Sequence, residues 1–304
     1  MFINHKKERK TIVEVQILNL YSNEVEENSN LKGHHGQSFL ITMGEEQIIY
    51  DVGHKGHILL HNMAILGIEP KNITKMVVSH GHFDHTGGLP VFLDSRNTEE
   101  KIPLYAHTDF REEKLFKLGI IKKNLGCPFI SKEQEKKIEF ILSSKSQQIV
   151  PYLRTTGEII KRKEVTGVEP IIKHWENNKL VVDPILDDNS LVLSTNEGEV
   201  IITGCAHSGI LNICEHVKNQ TARRIRAIIG GTHMATYTPE EVLYVAEELK
   251  NKYDFPDLYL NHCTDKMPNP FVKTTKTIDI LKNKFGEEKV KSCMVGTKIN
   301  FKYL

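Results

Sequence analysis

The chemically densest stretch of the chain reads Met76-Val77-Val78-Ser79-His80-Gly81-His82-Phe83-Asp84-His85-Thr86-Gly87-Gly88-Leu89, an apolar run opening into a loop with three histidines and an aspartate within six positions. Imidazole nitrogens and a carboxylate are the donors a borderline metal such as zinc takes, at roughly 2.0–2.2 Å. Alternate residues of an extended chain face the same side, so His80 and His82 can present their rings together. Asp84 and His85 then have a turn in which to swing round to them. The competing reading, a polar loop with unrelated histidines, makes the spacing an accident of composition.

Such a loop needs strands to hold it. Segments rich in β-branched residues predict strands at 12–20, 38–42, 47–51, 75–79, 180–182, 191–194, 199–203, 226–229, 258–261 and 290–295. Spaced apolar positions predict helices over 57–66, 132–142, 210–218, 239–250 and 275–285. Thr238-Pro239-Glu240-Glu241 is a good helix start, with a capping hydroxyl, proline in the first turn and acids at the positive end of the dipole. Strand pairs first and strand–helix alternation later predict a layered α/β fold. The whole of 1–304 is read as one domain. The lysine-rich stretch from about Ala106 to Trp175, with turn-prone Gly126-Cys127-Pro128 and Thr155-Thr156-Gly157, is expected to be an insertion, either a lid or a plain decoration.

The loop resembles the signature of the metallo-β-lactamase superfamily, whose motif His-x-His-x-Asp-His stands complete at His80, His82, Asp84 and His85. The resemblance implies a four-layer αββα sandwich with two divalent metal ions at one edge. His80 and His82 would serve the first site, and Asp84 and His85 the second. Zinc is the expected ion, with manganese or iron as alternatives. Diiron members that carry out oxygen chemistry usually have glutamate at the position of His82, so the resemblance favours hydrolysis over redox. Ile48-Ile49-Tyr50-Asp51-Val52-Gly53 is similar to the strand and turn that precede the motif, and Asp51 would orient ligand histidines there or else cap a turn. His207, closing the apolar run Val200-Ile201-Ile202-Thr203, is the next expected ligand, or the cap of a helix beginning near Ser208. His262 corresponds by position to the superfamily's last ligand, with a core role as the other reading. His233 is open between ligand, substrate contact, hydrogen-bond donor to a ligand and structural residue. Where the superfamily usually bridges its metals with an acid, this chain has Cys205, either a thiolate ligand or a small buried filler. His174, beside Trp175, is open between an extra ligand and packing.

A narrower resemblance rests on Gly204-Cys205-Ala206-His207-Ser208-Gly209-Ile210, Gly230-Gly231-Thr232-His233-Met234 and His262-Cys263-Thr264. These are similar to the branch containing an archaeal dihydropterin-linked synthase of methanopterin assembly and many bacterial relatives. His34-His35-Gly36-Gln37-Ser38, Gly157-Glu158-Ile159 with Arg162, and Asp187-Asp188 add to it, though Gln37 and Lys161 depart from the branch pattern. His35 either reaches the site or sits in an exposed turn. Arg162 is a candidate phosphate contact or a surface residue.

The bulk properties bound the partners. Forty basic and 39 acidic side chains in 304 residues leave a formal charge of +1, which points away from nucleic acid and from anionic membrane surfaces and toward a small partner, and the resemblance implies that this is a phosphorylated or pterin-like substrate. Lys6, Lys7 and Lys10, and the lysines of 132–137, read as solvated faces rather than phosphate contacts. No apolar run approaches the roughly 20 residues that span a bilayer. The first residues lack the apolar block of a secretion signal. Five scattered cysteines, an odd number, argue for a reducing compartment, so a cytoplasmic protein is expected. Neither a Gly-x-Ser-x-Gly elbow nor a phosphate-binding P-loop occurs. The expected activity is metal-dependent hydrolysis, with Asp84 as the catalytic carboxylate. Phosphoesters or pyrophosphates are the first substrates, thioesters or lactones the second, and β-lactams the last. A dihydropterin pyrophosphate-dependent transferase and a non-catalytic metal-dependent binding protein are the alternatives, and oligomeric state is open.

Overall fold

The computed structural model describes residues 13–265 and 274–303, so the lysines of the first ten residues and Ile12 of the first expected strand lie outside the described residues. In chain order the strands are β1 (Val13–Tyr21), β2 (Ser38–Met43), β3 (Glu46–Tyr50), β4 (Lys75–Val77), β5 (Ile102–Ala106), β6 (Leu115–Leu118), β7 (Ile121–Asn124), β8 (Ile138–Leu142), β9 (Gln148–Val150), β10 (Leu153–Thr155), β11 (Ile172–Glu176), β12 (Lys179–Val182), β13 (Leu191–Thr195), β14 (Gly198–Thr203), β15 (Ile225–Gly230), β16 (Asp257–Leu260), β17 (Val290–Ser292) and β18 (Lys298–Tyr303). The helices are α1 (Gly56–Ile65), α2 (Phe83–Thr86), α3 (Leu89–Ser95), α4 (Lys132–Lys136), α5 (Ile210–Thr221), α6 (Pro239–Tyr253) and α7 (Thr277–Phe285).

Two seven-stranded sheets, ordered β18-β1-β2-β3-β4-β5-β8 and β17-β16-β15-β14-β13-β10-β9, stack face to face. Side-chain alternation along each strand explains the stacking. Ile17, Phe39, Ile41 and Ile48 point inward and meet Leu193, Val200, Ile202 and Ile229 of the other sheet. Their neighbours Leu18, Leu40 and Ile49 point outward and are covered by Leu59 and Met63 of α1 and Phe92 and Leu93 of α3. On the far side Ile201 and Ile228 pack under Ile213 and Val217 of α5 and Val242, Val245 and Leu249 of α6. An apolar face on each side of each sheet leaves helix–sheet–sheet–helix as the arrangement that buries everything, the αββα sandwich.

Within these sheets β3 and β4 run parallel, as do β14, β15 and β16. Parallel strands covered on both faces are largely apolar, and every residue of β14 is buried, including Glu199, which pairs with Arg223. The C-terminal ends of these strands open into the loops that carry Asp51, His80, His207, His233 and His262, the usual place for a site in such sheets.

Three differences from the sequence-based expectations have physical causes. The helix expected over 132–142 stops at Lys136, and Ile138–Leu142 is instead a strand paired parallel to β5. Its Ile138 is buried in the core under the first sheet, with Phe140 packed against it. Strand β5, with Pro103 inside it, went unforeseen although Ile102, Leu104 and Ala106 alternate as buried residues. The segment 106–175 divides: β8 extends the first sheet and β9 and β10 the second, whereas β6, β7 and β11 join β12 in a separate four-stranded sheet. Among the described residues no helix is long and apolar enough to cross a membrane.

Candidate metal centre

Strand β4 delivers Ser79 and His80 to the seam between the sheets, and the short helix α2 turns Asp84 and His85 back over them. Gly81 permits the turn, because a side-chain carbon there would collide with the carbonyl of Phe110. From the second sheet, the loop after β14 brings Cys205 and His207, and the loop after β16 brings His262. Gly204 is needed for the same reason as Gly81, since a side-chain carbon would run into the Ser79 side chain across the seam.

The rings are packed against one another. His80 lies 4.7 Å from His82, 4.3 Å from His85 and 4.8 Å from His207, centroid to centroid. His85 is 5.1 Å from His262. Asp84 Oδ2 sits 3.2 Å from His262 Nε2 and 3.8 Å from His85 Nε2, and accepts from His35 Nε2 at 2.9 Å. His35 thus reaches the cluster, whereas its neighbour His34 packs against His54 and Tyr21.

Four rings are oriented through Nδ1 by an oxygen, and His82 Nδ1 instead faces His80 Nε2 at 3.0 Å. His85 Nδ1 donates to Asp51 Oδ2 at 2.7 Å and His207 Nδ1 donates to the Gly167 carbonyl at 3.0 Å. His262 Nδ1 donates to Asn23 Oδ1 at 3.1 Å. The Ser79 hydroxyl donates to Asp51 Oδ2 at 2.7 Å, and so accepts from His80 Nδ1 at 2.9 Å. Carboxylate and carbonyl oxygens only accept, so the ring proton is on Nδ1 and the Nε2 lone pair faces inward. The Nε2 atoms of His82 and His207 are buried and have no hydrogen-bond partner, and that of His262 faces only Asp84 Oδ2 at 3.2 Å. Buried polar atoms are rarely left so, and inward lone pairs around a carboxylate and a sulfur are what a cation takes up. The donor set therefore fits divalent metal ions. Asp84, His85, Cys205 and His262 form one group with all donor atoms within 4.8 Å, and His80, Cys205 and His207 form another.

Electrostatics agree with a cation site. Burial, helped by the neighbouring histidines, holds His80 and His207 well below the usual imidazole range, and burial and Lys114 bring His82 down to about 3. These rings stay neutral and able to ligate. Burial opposes ionisation of Asp84, but His85 and His35 outweigh it and hold the carboxyl well below its ordinary range. His85 differs: burial disfavours its charge, yet Asp51 and Asp84 outweigh it and lift its pKa to about 9, so without a cation this ring keeps a second proton on Nε2 that a bound ion would displace.

The other candidates divide. Asp51, with its backbone at φ 60°, accepts from the Ser79 N–H at 2.7 Å as well as from His85, so it braces the cluster rather than capping a turn. The His233 ring lies 4.3 Å from that of His207, tilted by 46°, and pairs with Glu169 at 2.9 Å. Cys205 Sγ lies 3.0 Å from His85 Nε2. Arg162 is outside the cluster, and its guanidinium donates to the carbonyls of Ile159, Pro184 and Ile185, bracing that loop. His174 stands on β11 and belongs to none of the ligand groups, lining instead a small cavity with Lys114, Asp183 and Asp187. Sequence reasoning missed Asn23, Gly167, Glu169 and Lys114. Lys114 is buried between Asp187 at 2.8 Å and Asp183 at 3.4 Å, and Asp187 also accepts the Gly81 N–H at 2.7 Å. The pair Asp187-Asp188 was the one local signal for this set.

Comparison with known proteins agrees with the geometry. A family model described as the metallo-beta-lactamase superfamily matches residues 31–213. The chain is 32% identical over 266 residues to the 7,8-dihydropterin-6-methyl-4-(beta-D-ribofuranosyl)-aminobenzene-5'-phosphate synthase of Methanocaldococcus jannaschii, covering 82% of this chain and 87% of that one. It is 28% identical over 240 residues to an uncharacterized protein, MJ0448, of the same organism, covering 76% and 84%. Among solved structures, Tm1679, a metal-dependent hydrolase of the beta-lactamase superfamily, superposes with a TM-score of 0.74 at 21% identity, over 94% of this chain and 98% of that one. A diphosphatase from the PhnP family superposes with a TM-score of 0.53 at 12% identity, over 96% and 99%. At those identities the structural likenesses speak to fold alone. With the motif, the sandwich and the sequence match in agreement, the chain belongs to the metallo-beta-lactamase superfamily.

Proposed function

We propose that this protein is a metal-dependent hydrolase that holds two divalent cations, zinc before manganese or iron, and acts on a small phosphoester or pyrophosphate. One observation carries the reading: His80, His85, His207 and His262 are oriented through Nδ1 so that their other ring nitrogens converge around Asp84 and Cys205. His80, His82 and His207 would hold the first ion, and Asp84, His85 and His262 the second. When bound, such ions polarise a phosphoryl oxygen and bring the pKa of a coordinated water down to roughly 7. Asp84 is the residue able to orient that nucleophile by accepting its proton in a hydrogen bond, and His35, which donates to Asp84, fixes the direction of the carboxylate. His233, paired with Glu169 and packed at a tilt against His207, would meet an anionic group of the substrate.

A second reading is favoured by the 32% identity with the pterin-linked synthase. The same cluster would then serve a transferase, in which pyrophosphate leaves a dihydropterin and an amine-bearing or aromatic partner attacks. The test is elemental analysis of protein purified without chelator, with turnover of a phosphodiester, a phosphomonoester, a thioester and a lactone before and after chelation. We expect two ions per chain and chelator-sensitive turnover of a phosphoester. Asp84→Asn should lower turnover by roughly 10²–10⁴-fold, the usual range for loss of a catalytic acid–base group, with the near-ultraviolet circular dichroism unchanged. Bound metal with turnover only of a dihydropterin pyrophosphate and an amine selects the transferase, and bound metal with no turnover selects a binding protein. No bound metal even after adding zinc, manganese or iron overturns the reading altogether.

A further inference from the structure

We infer that Cys205 supplies a thiolate shared by both cations, bridging them where a carboxylate would otherwise stand. The inference rests on the metal reading above and concerns one atom of it. Three groups of clustered donors occur among the described residues, and Cys205 is the member common to all of them. In one its Sγ joins Asp84, His85 and His262, and in another His80 and His207, with every donor atom within 4.8 Å of the rest of its group. A sulfur that belongs to both metal positions at once is placed as a bridge. The spacing suits this, because two donors on one tetrahedral ion with bonds of roughly 2.0–2.3 Å lie roughly 3.5 Å apart. Cys205 Sγ is 3.0 Å from His85 Nε2.

The backbone aims the sulfur there. Gly204 lets the end of β14 press against Ser79, and Ala206, at φ 55°, turns the chain sharply so that Cys205 and His207 both stay at the seam. Cys205 is 2% exposed, so no solvent-facing role competes. The rival thiol is Cys263. It belongs to only one of the three groups, alongside His233, and its Sγ already accepts the His233 N–H at 3.3 Å. A thiolate bridge biases the site toward thiophilic ions, zinc or cadmium, over the oxygen-preferring manganese.

The test uses the full chain loaded with zinc and, separately, with cobalt(II). X-ray absorption at the zinc edge should show sulfur at about 2.3 Å. Averaged over two zinc ions, a bridge gives one sulfur per zinc and a terminal ligand gives half. The cobalt form should show a thiolate charge-transfer band in the near ultraviolet that disappears in Cys205→Ser and Cys205→Asp and persists in Cys263→Ser. Zinc affinity of Cys205→Ser should fall by more than the roughly 10–100-fold that follows loss of a group hydrogen-bonded to a ligand. Near-ultraviolet circular dichroism, with Cys205→Asp as the variant that keeps an anionic donor, separates ligand loss from misfolding. Paired zinc with no sulfur scattering overturns the thiolate, half a sulfur overturns the bridge, and a band lost in Cys263→Ser instead moves the role to that residue. All three leave the hydrolase reading standing, whereas absence of any bound cation overturns both.

Discussion

Four histidines of the cluster, His80, His85, His207 and His262, are committed before any ion arrives. Asp51, Ser79, Gly167 and Asn23 take one ring nitrogen each, so the other nitrogen has a single direction left. That preorganisation depends on groups several residues removed from the ligands, and Lys114 is the one whose loss should be most visible. Burial opposes its charge, but Asp187 and Asp183 outweigh that and raise its pKa, so the three form a buried charged knot that also holds the Gly81 N–H. Lys114→Ala leaves two buried carboxylates without a cation and should cost about 3–5 kcal/mol, read as the shift in urea unfolding. Restoration of part of that loss by adding Asp183→Asn would support the knot. A loss below ~1 kcal/mol would show that the carboxylates find water or another partner.

Elements divide the labour between holding the site and closing the core. Helix α6 lies on the outer layer, burying Val242, Val245, Ala246 and Leu249 at helical spacing, and its start is a full capping box between Thr238 and Glu241. Thr238→Ala should lower stability by ~1 kcal/mol and leave metal content unchanged, because the cap touches none of the ligand loops. Thermal denaturation with parallel elemental analysis checks both halves. This helix start was legible because capping and periodicity are local. The strand at Ile138–Leu142 was not, because a short apolar run takes its conformation from the neighbour it pairs with, here β5.

At the scale of the whole molecule, the histidines make stability depend on pH from both sides. Burial lowers the pKa of His80 and His207 well below the ordinary value, of His82 to about 3 and of His54 to about 4. Their neutral forms favour the folded chain, and this contribution is lost as pH falls below the unfolded value near 6.5, where only the unfolded chain gains protons. His85 and His233 are opposite: burial opposes their charge, but Asp51 and Asp84 lift His85 to about 9, and Cys263 and Glu169 lift His233 to about 10. Their contribution is full below about 6.5 and is lost as pH rises toward the folded values. Chelator-treated protein should therefore be most resistant to urea near neutrality. The alkaline decline should shrink in His85→Gln, and stability rising steadily to pH 9 or beyond would contradict this account.

The sequence by itself determined the donor types and their order along the chain, because His80, His82, Asp84 and His85 share one local turn. It also determined the layered class, because strand and helix periodicities survive without knowledge of partners. Tertiary structure decided everything that depends on two distant segments meeting. His35 reaches Asp84 rather than facing solvent, and Arg162 spends its donors on backbone carbonyls. Asn23 orients His262 from 239 residues away, and Cys205 falls where two ligand groups overlap. The physical reason is that ligand position is set by where strand ends from two sheets abut. Local spacing fixes which face a side chain takes on its own strand, and only packing fixes what stands opposite it.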